Sequence, residues 1–334
     1  MAVPPTEYGG TELVVDRLAR GLVAAGHDVE LFATGDSTCP VPTRWVHRVA
    51  AGTKLDEAIE REQVRAAYEA FADVDLVHDH TVLGPPTGLA MRPELPLVTT
   101  NHGPFSPTTE AHFASVSDDV AVVAISDAQR RTAPSVRFAA VIHHGLDVAE
   151  LPFGDGKGGY LLFLGRMSPD KGAHRAIAVA RATGRRLLIA AKMWDPWERR
   201  YFEEQVEPNL GDGIEFLGEV GGARKLELLA SAEALVNPIS WSEPFGLAMI
   251  EALATGTPVL AFREGSVPEI VEHGRTGFIC RDVDDMAMRV SQLDRIDRAA
   301  CRASAVERFS SERFVDEHLA LYRSILAKRG DLVA

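Results

Sequence analysis

The sequence predicts an α/β protein made of two successive parallel-sheet domains, and three observations carry that prediction. Short apolar runs alternate with longer stretches of helical spacing, which is the pattern of βαβ units. The runs fall into two series separated by residues 151–159, LPFGDGKGG, a stretch rich in Gly and short of apolar side chains that reads as an interdomain linker. The chain has 334 residues, a length that suits two domains of about 100–200 residues each.

The elements follow in order. A helix is predicted over 11–25, where Leu13, Leu18, Leu22 and Val23 make one apolar stripe. Strands are predicted at 29–34, 75–80, 97–102, 121–126 and 140–144, each a short run rich in apolar residues. The second series places strands at 160–165, 186–191, 214–217, 233–237, 258–262 and 277–280, with helices at 172–183, 222–231 and 246–254 between them. A last helix over 311–327 carries Phe314, Leu319, Tyr322, Ile325 and Leu326 at helical spacing. Two such domains would place a cleft at the carboxyl ends of their strands, where open α/β sheets bind ligands.

Composition excludes several classes of function. The formal charge is −13, from 35 Lys plus Arg against 48 Asp plus Glu, which argues against a nucleic-acid binder held by bulk charge. No run approaches the roughly 18 apolar residues of a membrane span, and residues 1–5 lack the basic and apolar regions of a signal peptide, so a cytoplasmic location is expected. Cys39, Cys280 and Cys301 form no C-x-x-C pair, which argues against a disulfide framework or a zinc site. The charge is unevenly divided: residues 1–150 hold 11 basic and 21 acidic side chains, the remainder 24 and 27. An anionic ligand is better accommodated in the second half.

Gly154, Gly156 and Gly159 satisfy G-x-G-x-x-G, but a linker precedes them and a strand follows, the reverse of the dinucleotide-binding context. A better signal starts at Gly165-Arg166, where a predicted strand ends and a loop carries Arg166 and Lys171 five residues apart. Taken alone, these residues fit a solvated surface loop as well as a diphosphate clamp with Arg as a planar fork and Lys as a point charge. The segment Ser242-Glu243-Pro244-Phe245-Gly246-Leu247 shifts the balance, because it leads into a helix whose amides at 245–247 make an anion site at the positive helix end. Glu251 lies about 7.5 Å along the axis from Gly246. It stands among Leu247, Ala248, Ile250, Ala252 and Leu253, where an unpaired charge is expensive, so a ligand role fits it better than that of an exposed helix acid. Two carboxylates eight residues apart would flank a bound phosphate and accept hydrogen bonds from sugar hydroxyls.

These residues closely resemble the family-4 retaining glycosyltransferases, which have the two-domain GT-B fold, and the resemblance covers nearly the whole chain. It includes Tyr8-Gly9-Gly10-Thr11-Glu12, Gly26-His27-Asp28-Val29, His78-Asp79-His80, Asn101-His102-Gly103 and His144-Gly145-Leu146-Asp147. It continues through Gly165-Arg166, Lys171-Gly172, Glu243 to Glu251, Val267-Pro268-Glu269 and Thr276-Gly277-Phe278. The fold it implies is two Rossmann-like parallel-sheet domains facing a cleft. Residues 1–153 would form the acceptor-side domain and 154–310 the nucleotide-sugar donor domain, with 311–334 crossing back to the first and closure bending near 147–159 and 310. Arg166 and Lys171 would bind the donor diphosphate with the amides of Gly246 and Leu247, and Phe245 belongs to the same donor-binding segment. Glu243 would contact the donor sugar and Glu251 the ribose. His102 would lie near the sugar, and Gly9 and Gly10 would approach the donor phosphate and acceptor.

The resemblance further implies a metal-independent enzyme without a cofactor. Its co-substrate would be a UDP- or GDP-sugar and its acceptor an unknown small molecule or glycan. His78 and His80 share a strand face and could suggest metal ligands, but with Asp79 on the opposite face they complete no tetrahedral site. Members of the family normally begin with an apolar strand before the Gly-Gly loop. Here seven residues precede Tyr8, so the amino-terminal domain is expected to lack its first strand, leaving neighbouring strands without ladder partners. Extending the chain upstream is expected to restore that strand and raise stability. The alternative readings are a non-catalytic or impaired sugar-nucleotide binding protein on the same fold, and a GT-B epimerase, against which the two-glutamate segment argues.

Overall fold

The structure, a computed structural model, describes residues 2–5, 9–50, 57–71 and 73–333, with side chains described to residue 328. The chain divides into two compact units: unit 1 is Met1–Gly145 with Ser311–Ala334, and unit 2 is Leu146–Ser310.

In unit 1, α1 (Gly10–Ala24) is followed by β1 (Leu31–Phe32) and β2 (Thr43–Arg44), which pair in parallel as a separate two-stranded sheet. Next come α2 (Glu57–Ala70), β3 (Val77–Asp79), α3 (Gly84–Met91), β4 (Leu97–Thr100), α4 (Pro107–Ala114), β5 (Ala121–Ala124), α5 (Asp127–Arg131) and β6 (Phe138–Val141). Strands β3 to β6 form a parallel sheet in sequential order. Among the described residues no strand precedes α1, and β1 and β3 each have a ladder partner on one side only. The predicted strand at 29–34 shrinks to two residues, and Val3 packs beside it. The Val3 carbonyl accepts the Thr38 and Cys39 amides, both at 2.9 Å, and the Val3 side chain packs with Ala19, Ala33, Cys39 and Val41.

One core cluster of this unit gathers Val64 and Tyr68 of α2 with Leu95, Leu97, Val116 and Val120. The Tyr68 hydroxyl donates to Asp79 at 2.8 Å, so the buried carboxyl at the end of β3 has a partner. Sequence spacing missed α2 because charged side chains surround Val64 and Tyr68. It missed α4 and α5 because they are short and are set by caps rather than stripes: Ser106 accepts the Thr109 amide and Ser126 the Gln129 amide.

Unit 2 contains β7 (Tyr160–Arg166), α6 (Ala173–Thr183), β8 (Arg186–Lys192), α7 (Pro196–Tyr201), β9 (Ile214–Gly218), α8 (Gly222–Ser231), β10 (Ala234–Asn237), α9 (Leu247–Ala254), β11 (Val259–Phe262), α10 (Val267–Ile270), β12 (Gly277–Cys280), α11 (Val283–Val290) and α12 (Arg298–Phe309). Its six strands form one parallel sheet in the order β12-β11-β10-β7-β8-β9. The buried runs of β7 and β8 are almost wholly apolar, as a sheet covered on both faces requires. The final helix, α13 (Ser311–Val333), belongs to unit 1, where a Cβ on Gly21 of α1 would meet Val315 at 2.3 Å.

The predicted linker needs correction. Residues 146–153, assigned to the first domain, fall in unit 2, and 151–159 is not a free connector. Arg302 donates to the carbonyls of Val148 (2.7 Å), Leu151 (2.9 Å) and Ala254 (2.8 Å), while Arg298 holds Gly154 (2.9 Å) together with Ala230 (3.0 Å) and Ala232 (3.1 Å). The glycines permit this close approach: a Cβ on Gly154 would stand 1.9 Å from the Ala230 carbonyl oxygen. A Gly-rich stretch with few apolar residues therefore resembles a linker in sequence while packing largely by its backbone.

Candidate active site

In unit 2 the chain builds outward from β7 through β8 to β9, then returns to the other side of β7 for β10, β11 and β12. The strand order thus reverses between β7 and β10, the position where open α/β sheets bind ligands. The two segments singled out by sequence leave the carboxyl ends of these two strands. Arg175 of α6 fastens them together by donating to the carbonyls of Pro238 (2.7 Å), Pro169 (2.9 Å) and Asp170 (3.1 Å) and to the Ser240 hydroxyl (3.0 Å). Gly172, which takes a left-handed φ of 83° just before α6, lies where a Cβ would be 2.5 Å from the Pro238 carbonyl.

This arrangement brings Lys171 and Glu243 into direct ion-pair contact although 72 residues separate them. The Lys171 ammonium also lies 4.6 Å from the Trp241 ring centroid. Glu243 is held through its backbone, since its carbonyl accepts the Ser266 amide at 3.0 Å and its amide donates to Trp241 at 2.8 Å. Three residues on, Gly246 adopts φ 95° as the N-cap of α9, whose first-turn amides lack the carbonyl partners of later turns. The helix begins at Leu247, so its first-turn amides are those of residues 247–249, two residues later than the 245–247 expected. Phe245 turns inward, 2% exposed, with its ring 6.1 Å from that of Phe309.

Glu251 is 5% exposed, and Lys225 of α8 donates to it at 2.7 Å. The carboxylate that sequence reading considered too costly to leave unpaired in an apolar helix thus has a cation. Arg166 ends β7 in register with Lys192 at the end of β8. Its Nε lies 3.2 Å from the buried Glu198, and its guanidinium lies over Trp197. The ammonium of Lys192 lies 3.4 Å from the Trp194 ring centroid. Sequence reading missed Arg175, Lys192, Glu198 and Lys225. Lysine scarcity offers one signal for two of them, since Lys192 and Lys225 are among only six lysines in the chain.

The remaining candidates lie in unit 1. Gly9 is the N-cap of α1 and Gly10 its first residue, and a Cβ on Gly9 would meet Glu12 at 2.6 Å and Pro5 at 2.7 Å. Tyr8 lies outside the described residues. His102 follows β4 and belongs to a group of five histidines. Its Nε2 shares a hydrogen bond with His80 Nδ1 at 3.0 Å, and its ring stacks on His144 with centroids 5.2 Å apart. His78 bonds Tyr322 at 2.6 Å and Thr100 at 2.8 Å, and His318 Nδ1 bonds the Phe314 carbonyl at 2.7 Å. Burial, reinforced by neighbouring histidines, holds His78, His80, His102 and His144 well below the ordinary imidazole range; burial takes His318 to about 4. These rings are therefore neutral at pH 7.

The chain has counterparts among known proteins. Residues 158–295 match the family model described as glycosyl transferases group 1, and residues 8–150 match that of glycosyltransferase family 4. AviGT4, a glycosyltransferase involved in avilamycin A biosynthesis, has a solved structure that superposes with a TM-score of 0.76 at 31% identity, covering 98% of this chain and 93% of that one. The chain is a family-4 glycosyltransferase.

This family-4 glycosyltransferase is also 29% identical to the glycogen synthase of Mycobacterium tuberculosis over 98% of its length and 94% of the relative's. It shares 28% identity with the phosphatidyl-myo-inositol mannosyltransferase of Mycolicibacterium smegmatis, over 91% and 85% of the two chains. The fold of HepE from Anabaena, solved in complex with UDP and glucose, matches with a TM-score of 0.74 at 21% identity, covering 95% and 96%. The chain is thus an enzyme with the GT-B fold that transfers a sugar from a nucleotide sugar. Among the described residues no helix is long and apolar enough to cross a membrane.

Proposed function

We propose that the enzyme moves a hexose from a nucleoside-diphosphate sugar to an acceptor hydroxyl with retention of anomeric configuration and without a divalent metal or other cofactor. The observation that carries this reading is the meeting of Lys171 and Glu243 beside the start of α9, at the strand-order reversal of unit 2. A diphosphate there would draw the ammonium of Lys171, the fork of Arg166 and the first-turn amides of α9, while Glu243 would take sugar hydroxyls and Glu251 the ribose. The neighbour that binds UDP and glucose favours a uridine diphosphate donor, with guanosine diphosphate the other base considered.

In the transfer, the anomeric carbon loses its bond to the diphosphate oxygen and gains one to the acceptor oxygen on the same face. The acceptor proton passes to the departing phosphate oxygen. Arg166, Lys171 and the helix amides stabilise the charge that develops on the leaving group, the part a metal ion plays elsewhere. For His102 we keep the role implied by the resemblance, contact with the donor sugar, and for Gly9 and Gly10 approach to phosphate and acceptor. The acceptor is a small molecule or a glycan.

The test is a thermal-shift panel of nucleoside diphosphates, because a ligand of the native state raises the melting temperature by mass action. NMR of sugar-nucleotide turnover on an acceptor pool follows. Release of nucleotide with the product in the donor's anomeric configuration is the expected result. Binding without turnover on any acceptor would favour a non-catalytic binding protein, and an inverted product would exclude retention. Chelator is expected to leave the rate unchanged.

A further inference from the structure

We propose that Glu198, at the start of α7, is a positioning residue that holds the guanidinium of Arg166 by its Nε edge and presents the two terminal nitrogens to the donor diphosphate. The inference rests on the reading above that Arg166 binds that diphosphate.

Glu198 is 1% exposed, and its two carboxylate oxygens have different tasks. Oε2 accepts the backbone amides of Trp194 at 2.7 Å and Asp195 at 3.1 Å, closing the reciprocal half of a capping box at the start of α7. Oε1 takes no part in the cap. It is sealed from solvent, and no donor aligned for a hydrogen bond reaches it. Its charged neighbour is Arg166 Nε at 3.2 Å. A buried carboxylate oxygen without a capping partner is costly, and a cap alone would be served by a neutral amide or hydroxyl. The charge at this position is explained by the cation beside it.

On the Arg166 side, the Nε contact and the Trp197 ring, whose centroid is 5.6 Å from Cζ, are the interactions of the guanidinium among the described residues. Both come from adjacent residues of one short helix. An Arg side chain has several freely rotating bonds, and a fork presented to a phosphate loses affinity for every alternative rotamer it visits. Fixing Nε and one ring face leaves both terminal NH₂ groups available, which is the bidentate geometry that suits phosphate oxygens.

The test uses Glu198→Gln, which is nearly isosteric and keeps an oxygen for the Trp194 and Asp195 amides while removing the anion beside Nε. With uridine diphosphate as the calorimetric probe, Arg166→Ala is expected to weaken binding by roughly a hundredfold and Glu198→Gln by roughly tenfold, with the melting temperature of the latter little changed. In turnover, Glu198→Gln raises KM for the donor more than it lowers kcat. The decisive measurement is the double-mutant cycle: in an Arg166→Ala background, Glu198→Gln has no further effect on uridine diphosphate binding. An equal loss in both backgrounds would mean that Glu198 acts only as a cap and would overturn the inference. If Arg166→Ala binds uridine diphosphate normally, the diphosphate reading itself fails and this inference fails with it. A loss for Arg166→Ala with none for Glu198→Gln removes Glu198 alone.

Discussion

Units 1 and 2 follow the same βαβ plan yet handle buried polar side chains in opposite ways. Behind β3 and β4, unit 1 collects five histidines that burial keeps neutral, linked by imidazole, hydroxyl and carbonyl hydrogen bonds. At the carboxyl end of its sheet, unit 2 collects cations and carboxylates in pairs: Lys171 with Glu243, Lys225 with Glu251 and Arg166 with Glu198. A neutral network can be buried without counter-ions, so it serves to join elements. A paired network holds its charges at fixed positions, as the proposed binding of a diphosphate requires.

If that contrast is right, removing the cation of a pair in unit 2 has consequences graded by how buried the remaining carboxylate is and by what else still binds it, and Glu198 keeps the Trp194 and Asp195 amides. The largest is expected from Lys225→Met, which leaves the 5% exposed Glu251 without its cation and should cost about 3–5 kcal/mol of stability in urea unfolding. A loss below about 1 kcal/mol would mean that Glu251 does not depend on Lys225. The next effect belongs to turnover. Lys171→Ala should lower the transfer rate by about 10²–10³, some 3–4 kcal/mol of transition-state stabilisation, if Lys171 carries leaving-group charge. Its effect on folding should be smaller than that of Lys225→Met, because the side chains of Lys171 and Glu243 keep 18% and 15% of their exposure. A mutant that turns over at the parent rate would remove Lys171 from the site.

The contrast also explains what could be read from the sequence. All strands of unit 2 were legible, because buried parallel strands are continuous apolar runs bounded by Gly and polar residues. Arg166, Lys171, Glu243 and Glu251 were legible because they sit on loops and a helix start whose local pattern is unusual. Their supports were not. Arg175, Glu198 and Lys225 lie in ordinary helical stretches, and only the sheet order brings them to the site: Lys225 lies 26 residues from Glu251, and Glu198 lies 32 from Arg166 across a neighbouring strand. The histidine group was invisible as a group for the same reason. His78, His102, His144 and His318 belong to four separate segments, and the last two flank the whole of unit 2 in the sequence. In unit 1 the striped helices α1 and α13 and the strands β3 to β6 were legible, whereas α4 and α5, set by caps, and the two-residue β2 were not, and β1 is shorter than the strand predicted at 29–34.

Acid should separate the two units. His318 has a folded pKa of about 4 against an ordinary value near 6.5, and the other four histidines are also lowered. A base with a depressed folded pKa binds protons preferentially when unfolded. Its contribution is therefore fully present above about pH 6.5 and is lost as the pH falls from there toward 4, by at most about 1.4 kcal/mol per pH unit for each ring. Hydrogen-exchange protection factors, which remove the intrinsic slowing of amide exchange toward acid, should fall from pH 7 to pH 5 in α13 before they do in β7 and β8. His318→Leu should flatten the pH dependence of the unfolding midpoint. Equal loss of protection in both units would mean that the histidine group does not govern the acid response.

The smallest expected effect tests whether the geometry at the start of α9 matters as much as the charges around it. Gly246 holds φ at 95°, a conformation that costs an L-residue on the order of 1–2 kcal/mol, and a Cβ there would lie 2.5 Å from the flexible end of Met249 and 3.5 Å from Glu243 Cγ. Gly246→Ala should therefore lower stability by about 1 kcal/mol, since Met249 can move its terminal methyl aside. If the left-handed turn also aims the first-turn amides at the diphosphate, binding of uridine diphosphate should weaken by more than the stability loss predicts, because relaxing the turn rotates those amides away. The comparison to make is with Gly184→Ala, at another left-handed helix end of unit 2, where φ is 62° and nothing stands within 4 Å of the added Cβ. That variant should show a similar stability loss with unchanged nucleotide affinity. Parallel losses of affinity in both variants would assign the effect to general loosening of the unit rather than to the helix amides.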